Sequence, residues 1–263
     1  MRNSLLFAAV LSTLTLTNFA YADEAAAPAP AAEPAPPYTI TYNVGLYSEY
    51  IFRGLTQTGE ELALQGGMDF THSSGFYLGA WASNISWLED DAQYENSSLE
   101  LDIYGGYAST FGETGIGYNV GLLQYIYPGD KLPTAVIDDA ETTEIYASLS
   151  YKWAQVKFSY GLTDIFGVKD SDGSYYAELN ANYPIGETGL TAVAHVGYQD
   201  FSGSANDALS YTDWKLGLTK SWSNGVNLGA YYTDTDGGAG DYVDASNTKL
   251  GDSAFVVFVQ KTF

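Results

Sequence analysis

The chain ends in Ala254-Phe255-Val256-Val257-Phe258-Val259-Gln260-Lys261-Thr262-Phe263, a strand-like run that continues to a terminal phenylalanine. A soluble protein gains little from a strand that ends on its last ring. A membrane barrel must instead pair its last strand with its first so that the sheet has no edge, and a terminal aromatic then lies at the lipid–water interface. This stretch predicts an all-β fold, a transmembrane antiparallel β-barrel with Phe263 as its barrel-assembly terminus.

The start of the chain has the pattern of an export signal. Arg2 precedes an apolar run over residues 5–16, and Ala20-Tyr21-Ala22 matches a cleavage site. We therefore predict a signal peptide over 1–22, an Ala/Pro-rich periplasmic tether over 23–38, and the barrel over 39–263. No later segment approaches roughly 18 consecutive apolar residues, so no membrane-spanning helix is expected.

Composition and charge restrict the possible partners. The formal net charge is −22, which excludes nucleic acid, and it favours cations or a passage that prefers them. The chain has 23 Tyr, 12 Phe and 28 Gly but no cysteine. Aromatic residues favour strands and glycine suits turns and crowded barrel walls, so this composition agrees with a barrel rigidified without disulfides.

Period-two alternation from residue 39 onward predicts twelve strands. Their predicted ranges are 39–50, 62–71, 75–84, 97–108, 115–126, 142–152, 155–164, 174–184, 189–200, 211–221, 225–234 and 253–263. The connections alternate strictly between short and long, and both termini fall on the short side. A soluble lipocalin-like barrel would also alternate but has no reason for this polarity, so the pattern favours short periplasmic turns and long extracellular loops.

Aromatic residues cluster near the strand ends and predict two interfacial girdles. The set near the short turns comprises Phe70, Phe76, Tyr107, Tyr151, Trp153, Tyr183, Trp222 and Phe263. The set near the long loops comprises Tyr50, Phe52, Trp87, Tyr125, Tyr127, Phe166, Tyr198 and Phe201.

Several segments resemble the proteobacterial TorF-type putative porins. They are Arg53-Gly54-Leu55-Thr56-Gln57-Thr58, Gln65-Gly66-Gly67-Met68-Asp69-Phe70, Gly75-Phe76-Tyr77-Leu78-Gly79-Ala80-Trp81-Ala82-Ser83-Asn84, Leu101-Asp102-Ile103-Tyr104-Gly105-Gly106-Tyr107 and Lys261-Thr262-Phe263. The residues taken as the family motif are Arg53, Gly54, Gln57, Gln65, Gly66, Gly67 and Asp69. The resemblance implies an outer-membrane barrel assigned as a porin, and it supplies no catalytic residues. Lys261 stands where many barrels have an aromatic residue, which makes the assembly signal atypical.

If the apolar faces of the strands meet lipid, the opposite faces line the lumen. The predicted pore-lining residues are Glu49, Asp69, Glu100, Asp102, Glu144, Lys157, Glu178, Asp213 and Lys215. With so few bases most carboxylates would be unpaired, and a dry lumen does not tolerate that. We therefore expect a water-filled, cation-favouring lumen. The alternative is that the charges pair with one another and leave no open path.

The long loops are rich in Asp and Glu and form a predicted acidic rim. Calcium could bridge such loops, but Asp170-Ser171-Asp172-Gly173 lacks the spacing of a calcium-binding loop, so no metal site is predicted. Arg53 is counted among the few bases of this rim. The loop over 127–141, stiffened by Pro128 and Pro133, is the candidate for an inward-folded constriction.

Catalysis has little support in the sequence. His72 is expected in a tight turn, and His195, mid-strand and facing the lumen, is the only plausible base. Neither Gly-x-Ser-x-Gly nor His-Glu-x-x-His is present, so we predict that the protein is not an enzyme and uses no cofactor.

These features together predict a passive outer-membrane channel for small hydrophilic solutes, with a preference for cations. The expected partners are outer-membrane lipid and lipopolysaccharide, the barrel-assembly machinery, and small polar or cationic solutes. The alternative is a non-conducting barrel that acts as a surface receptor, an adhesin or a structural protein.

Overall fold

The computed structural model describes residues 36–236, 242–244 and 248–263. The barrel strands are β1 (Tyr38–Tyr47), β4 (Ala63–His72), β5 (Phe76–Asn84), β6 (Leu99–Thr110), β7 (Ile116–Ile126), β8 (Thr142–Tyr151), β9 (Ala154–Gly161), β10 (Tyr175–Ile185), β11 (Leu190–Asp200), β12 (Tyr211–Ser221), β13 (Val226–Thr235) and β14 (Ala254–Thr262). The first long loop contains a small hairpin, β2 (Ile51–Phe52) and β3 (Leu55–Thr56). Two further loops contain α1 (Trp87–Asp90) and a 3₁₀ turn (Asp207–Leu209).

No helix among the described residues has the length and apolar character needed to span a bilayer.

The twelve long strands form one closed antiparallel barrel in which each pairs with its neighbours in sequence and β1 pairs with β14. The closing seam runs from Asn43 opposite Thr262 to Tyr47 opposite Phe258. The backbone N–H of Phe263 donates to the carbonyl of Tyr42 at 2.8 Å, so the terminal residue continues the ladder. The predicted fold class and strand number are confirmed, and every predicted strand end lies within three residues of the observed one.

Apolar side chains cover the outside of the barrel and polar ones line its inside. On β6, Leu99 and Ile103 are exposed, whereas Glu100, Asp102 and Tyr104 between and beside them are buried. A soluble barrel has the opposite polarity, because its core must be apolar. The inverted pattern is that of a wall that faces lipid.

The connections alternate in length as predicted. The short turns lie at the end of the barrel where β1 begins and β14 ends, and we call this the short-turn end. They cover residues 73–75, 111–115, 152–153, 186–189 and 222–225. Long loops over 48–62, 85–98, 127–141, 162–174, 201–210 and 236–253 lie at the other, the long-loop end. The predicted signal peptide over 1–22 and most of the predicted tether over 23–38 lie outside the described residues.

Only one of the two predicted aromatic girdles is found. At the short-turn end, Phe76, Trp153 and Trp222 point outward and are exposed. At the long-loop end only Tyr198 is exposed, so the predicted second girdle was wrong for the other seven residues. The buried rings there are Tyr50, Tyr125, Tyr127 and Phe201, and the half-buried ones are Phe52, Trp87 and Phe166. These rings turn inward because the first long loop enters the barrel and gives them an apolar surface to contact.

Candidate functional site

The first long loop folds into the mouth of the barrel and closes it. Its β2–β3 hairpin carries Arg53 and Gly54 at the turn, and both residues are buried. The predicted inward loop, 127–141, is instead mostly exposed. That prediction was wrong because Pro128 and Pro133 stiffen a segment that contains few rings able to pack inside, whereas the first loop has Tyr50 and Phe52.

Arg53 anchors the hairpin to the opposite wall. Its Nη2 donates to both carboxylate oxygens of Glu144 on β8, at 2.9 and 2.8 Å, and its Nη1 donates to Oε1 of Gln199 on β11 at 2.7 Å. The guanidinium also lies over the ring of Tyr176 on β10, 4.4 Å from its centroid. Arg53 was predicted to lie on the solvated rim, and that prediction was wrong, because the residue is buried inside the barrel.

The charge of Arg53 is maintained despite its burial. Loss of solvent would lower the pKa of the guanidinium, but the Glu144 carboxylate more than compensates and raises that pKa above its ordinary value. A planar guanidinium that donates to a carboxylate through one nitrogen and to an amide oxygen through the other combines charge and geometry in a way that a point charge does not. Arg53 therefore fixes the position of the hairpin as well as its electrostatics.

Packing around the turn completes the closure. The Phe52 ring meets Tyr125 and Phe166 edge-on, with centroids 5.7 and 5.6 Å apart. Gly54 has φ +80°, and a Cβ there would lie 2.5 Å from Cβ of Asp213 on β12. Only glycine suits this position, because any side chain meets both backbone strain and the β12 wall. We call the hairpin over 51–56 the plug.

Below the plug, charged side chains from several strands form a paired network. Lys157 lies 3.5 Å from Glu178, and His195 Nε2 lies 3.0 Å from Asp213. The hydroxyl of Tyr176 donates to Asp213 at 2.6 Å. The expectation that most lumen carboxylates would be unpaired was therefore wrong, since strand-borne tyrosines and the plug arginine supply partners that a count of bases leaves out.

Two carboxylates stand apart from this network. Glu100 accepts a hydrogen bond from the hydroxyl of Tyr50 at 2.8 Å, and Asp102 lies two residues further along β6 on the same face. Neither forms a salt bridge with any described base, and Oδ1 of Asp102 has no hydrogen-bond partner in the described part of the chain. We call Glu100 and Asp102 the acidic pair.

All nine predicted pore-lining residues lie at or just beyond the inner wall, and seven of them are buried. The two half-buried ones are Asp69, which accepts a hydrogen bond from Tyr104 at 2.5 Å, and Lys215, whose Nζ lies 5.2 Å from the Tyr231 ring centroid. Glu49 lies beyond the end of β1, beside the plug, and burial raises the pKa of its carboxyl.

The interior becomes more accessible toward the short-turn end. Along the inner face of β10, Glu178 is buried, Asn180 is half-buried and Asn182 is exposed. On β1, Tyr47 at the long-loop end is buried, whereas Asn43, which is closer to the short-turn end, is half-buried. The inner face is therefore accessible to solvent toward the short-turn end, whereas the described side chains at the long-loop end are mostly buried; a water-filled lumen stays a prediction.

Two tyrosine side chains are in contact on the inner wall beneath the plug. Tyr77 on β5 and Tyr146 on β8 share one row with Gly106 and Gly121, and their hydroxyls lie 2.5 Å apart. A Cβ at Gly121 would lie 2.5 Å from the Tyr146 hydroxyl. The missing side chain thus provides the space in which the two tyrosines meet.

The family-motif residues separate into two places. Arg53 and Gly54 belong to the plug and Gln57 directly follows it, whereas Gln65, Gly66, Gly67 and Asp69 lie on β4. Gln199 was not singled out from the sequence, although it holds Arg53. The plug itself had a readable signal, because Ile51-Phe52-Arg53-Gly54-Leu55-Thr56 has the apolar–turn–apolar pattern of a short hairpin.

His195 has no serine, threonine or cysteine among its described hydrogen-bond partners. Its Nε2 contacts Tyr176 and Asp213, and its Nδ1 contacts Asn180 at 2.7 Å. The other histidine, His72, lies at the short-turn end, where its Nδ1 contacts Ser74 at 2.7 Å. In the described ranges, no group of three or more His, Asp or Glu side chains is arranged to hold a metal ion.

A family model described as bacterial protein of unknown function (Gcw_chp) matches residues 31–263. The chain belongs to the Gcw_chp family. The match covers the plug and every strand of the barrel. No curated protein matches the chain.

Solved structures similar to this Gcw_chp protein include several outer-membrane channels, and LpxR from Salmonella typhimurium is also among them. The NanC porin is 11% identical with a TM-score of 0.52, over 85% of this chain and 99% of that one. The KdgM porin in complex with disordered oligogalacturonate is 10% identical with a TM-score of 0.49, over 85% and 98%. The COG4313 outer membrane channel from Pseudomonas putida F1 is 13% identical with a TM-score of 0.44, over 89% and 100%. At 11% identity the similarity to the NanC porin concerns the fold alone, a closed antiparallel β-barrel.

Proposed function

We propose that this Gcw_chp protein is a porin of the TorF type, located in the outer membrane, that passes small hydrophilic solutes when its plug is displaced. Its wall is assembled from strands, but its long-loop end is closed by a hairpin from a single loop. A loop can move on the microsecond-to-millisecond timescale while the ladder of the barrel stays intact. The observation that carries the proposal is a polar lumen that is accessible at one end and closed by the plug at the other.

The interior charges support a preference for cations. Glu100, Asp102, Glu144, Glu178 and Asp213 are buried on the inner wall, whereas the bases there are Lys157, Lys215 and the plug residue Arg53. When the plug withdraws, Arg53 leaves with it and the wall becomes more negative. Carboxylates in a low-dielectric channel attract cations and repel anions.

Single-channel recording in a planar bilayer tests the proposal. The mature protein is expected to show rare or small conductance steps, and Arg53→Ala is expected to raise both their frequency and their size, because the plug loses its anchor to Glu144. Lys131→Ala is the matched control, since it removes a base from an exposed loop ion pair with Asp139. Its conductance should equal that of the unaltered protein.

Two results would contradict parts of this proposal. If the unaltered protein conducts as freely as Arg53→Ala, the plug is not the gate. If both fold into heat-modifiable barrels and neither conducts, the protein is the non-conducting alternative, and its long loops become the candidate receptor or adhesion surface.

A further inference from the structure

Hydrogen bonds across three neighbouring strands determine how many protons the ring of His195 carries. Its Nδ1 lies 2.7 Å from Oδ1 of Asn180 on β10, and its Nε2 lies 3.0 Å from Oδ1 of Asp213 on β12. Asn180 presents its oxygen to the ring because its amide nitrogen donates to Oε2 of Glu178 at 2.7 Å. An amide oxygen and a carboxylate oxygen can only accept hydrogen bonds, so both ring nitrogens must donate.

The third contact of the ring leads to the same result. The hydroxyl of Tyr176 lies 2.9 Å from Nε2 of His195, but its one proton is donated to Oδ2 of Asp213 at 2.6 Å. A neutral ring has a single N–H, so one of its nitrogens would face the oxygen of Asn180 or of Asp213 with no proton between them. His195 is therefore an imidazolium, with two protons and a positive charge.

The charged groups around the ring agree with this assignment. Two carboxylates face it, Glu178 with Oε2 at 3.7 Å from Nδ1 and Asp213 with Oδ1 at 3.0 Å from Nε2. The bases that face the same space from β9, β12 and the plug are Lys157, Lys215 and Arg53. Lys157 forms its salt bridge with Glu178, whereas Asp213 has none with a described lysine or arginine. His195 is thus the cation that balances Asp213.

The turn of the plug rests on the two residues that His195 holds. The guanidinium of Arg53 lies 4.4 Å from the ring centroid of Tyr176. A Cβ at Gly54 would lie 2.5 Å from Cβ of Asp213, so the turn is in close contact with that residue too. A change in the charge of His195 therefore reaches both residues of the turn through one intervening side chain.

We propose that His195 is a positioning residue for the plug and that the second proton on its ring keeps the barrel closed. This inference rests on the proposed function, in which displacement of the plug opens the path. Histidine is the side chain whose charge ordinarily changes between about pH 5 and 8. Its contacts are complete while the ring is protonated. As the pH rises and the proton is lost, one ring nitrogen faces an acceptor, Asp213 loses its counter-charge, and the plug is released.

Nitrogen NMR tests the charge of the ring directly. The chain has two histidines, so an untagged His72→Gln barrel, folded in detergent with histidine isotopically labelled at its ring nitrogens, reports His195 alone. The two nitrogens of an imidazolium have similar chemical shifts, whereas those of a neutral ring are widely separated. Similar shifts are expected at about pH 6 and separated shifts at alkaline pH. Separated shifts already at acidic pH would show a neutral ring and overturn the inference.

Trypsin cleavage tests the coupling of that charge to the plug. The readout is the amount of cleavage after Arg53 divided by that after Lys131 on an exposed loop, because the ratio cancels the pH dependence of trypsin itself. In the unaltered barrel the ratio should rise roughly tenfold or more between about pH 6 and about pH 8, the effect of losing one charge-assisted hydrogen bond. His72→Gln should show the same rise. His195→Gln, which is neutral throughout, should show the high ratio at both pH values.

Two cleavage results would overturn the inference. A folded His195→Gln barrel that keeps the pH dependence would assign it to another group, and an unaltered barrel with a constant ratio would show that the proton does not act on the plug. The NMR measurement leaves His195 unaltered, so it decides the charge even if His195→Gln does not fold. Neither measurement requires conduction. A barrel that gives both expected results but never conducts in a bilayer would refute the proposed channel and leave His195 as the residue that positions the plug.

Discussion

Arg53 joins residues of the lumen that lie far apart in the chain. It reaches Glu144, which is 91 positions away, and Gln199, which is 146 positions away. The side chains of Arg53 and Glu144 are 4% and 2% exposed, whereas those of the loop pair Lys131 and Asp139 are 33% and 82% exposed. The two ion pairs therefore allow a buried and an exposed interaction to be compared in one molecule.

Arg53→Ala is expected to lower the free energy of unfolding by about 3–5 kcal/mol, because it leaves the Glu144 carboxylate buried without its partner. Arg53→Lys should cost less but remain destabilising, since an ammonium cannot replace the fork that contacts Glu144 and Gln199 together. Urea unfolding of the barrel in lipid vesicles, followed by tryptophan fluorescence, measures both.

Lys131→Ala provides the reference for that measurement, because an exposed pair contributes about 0–1 kcal/mol. An Arg53→Ala barrel no less stable than the Lys131→Ala barrel would mean that Glu144 gains water as soon as the arginine is lost. The anchor would then hold the plug in place without stabilising the fold.

The sequence predicted which face of a strand each residue occupies, but it did not predict which side chains are in contact. Alternation correctly placed Glu100, Asp102 and Tyr104 on the inner face. It could not show that tyrosine hydroxyls would serve as donors to the carboxylates, because those contacts depend on register between strands. Nor could it show that a residue from a loop would enter the lumen.

At the scale of elements, the plug depends on its turn as much as on its anchor. Gly54 has a positive φ and lies against Asp213, so a β-branched residue there is strained by the backbone and blocked by the wall. The hairpin then has no conformation that fits the closed mouth. The ladder of the barrel strands does not depend on this turn.

Gly54→Val is therefore expected to displace the plug and make the peptide bond after Arg53 accessible to trypsin. In the unaltered barrel Arg53 is buried and should resist cleavage. Limited proteolysis of the folded protein, read by mass spectrometry, detects the cut. A turn glycine at the short-turn end, Gly186, has open space around it and positive φ, so Gly186→Val controls for backbone strain alone.

Protection of Arg53 in the Gly54→Val barrel would show that the hairpin adapts and that its turn does not fix the plug.

The elements themselves were predictable to very different degrees. All twelve barrel strands followed from period-two alternation, because each repeats the same lipid-facing pattern. Each strand of the plug hairpin has only two residues, which are too few to show period-two alternation.

At the scale of the whole molecule, negative charge is present both on the loops and within the lumen. The chain has 32 Asp and Glu against 10 Lys and Arg. Most of the described loop carboxylates are exposed, so salt screens them within a Debye length of about 8–10 Å at physiological ionic strength. Lumen carboxylates are buried and are screened much less.

Reversal potentials across a salt gradient should separate these contributions. In the Arg53→Ala background, where the path is open, Glu100→Gln with Asp102→Asn is expected to reduce cation preference at low and at high salt. Asp138→Asn with Asp139→Asn, on an exposed loop, should reduce it only at low salt. Equal reversal potentials for all of these barrels would mean that neither set of carboxylates determines selectivity.

The reach of Arg53 across the barrel also has an evolutionary consequence. The contact with Glu144 joins positions 91 residues apart, and the contact of Tyr77 with Tyr146 depends on the absence of a side chain at Gly121. A relative that loses the arginine at position 53 has no partner for a buried carboxylate at position 144. A relative that acquires a side chain at position 121 needs a smaller residue than tyrosine at position 146. Descent within the Gcw_chp family should therefore have changed these positions in pairs, and an alignment of its members would record which ancestors opened the barrel and which kept it closed.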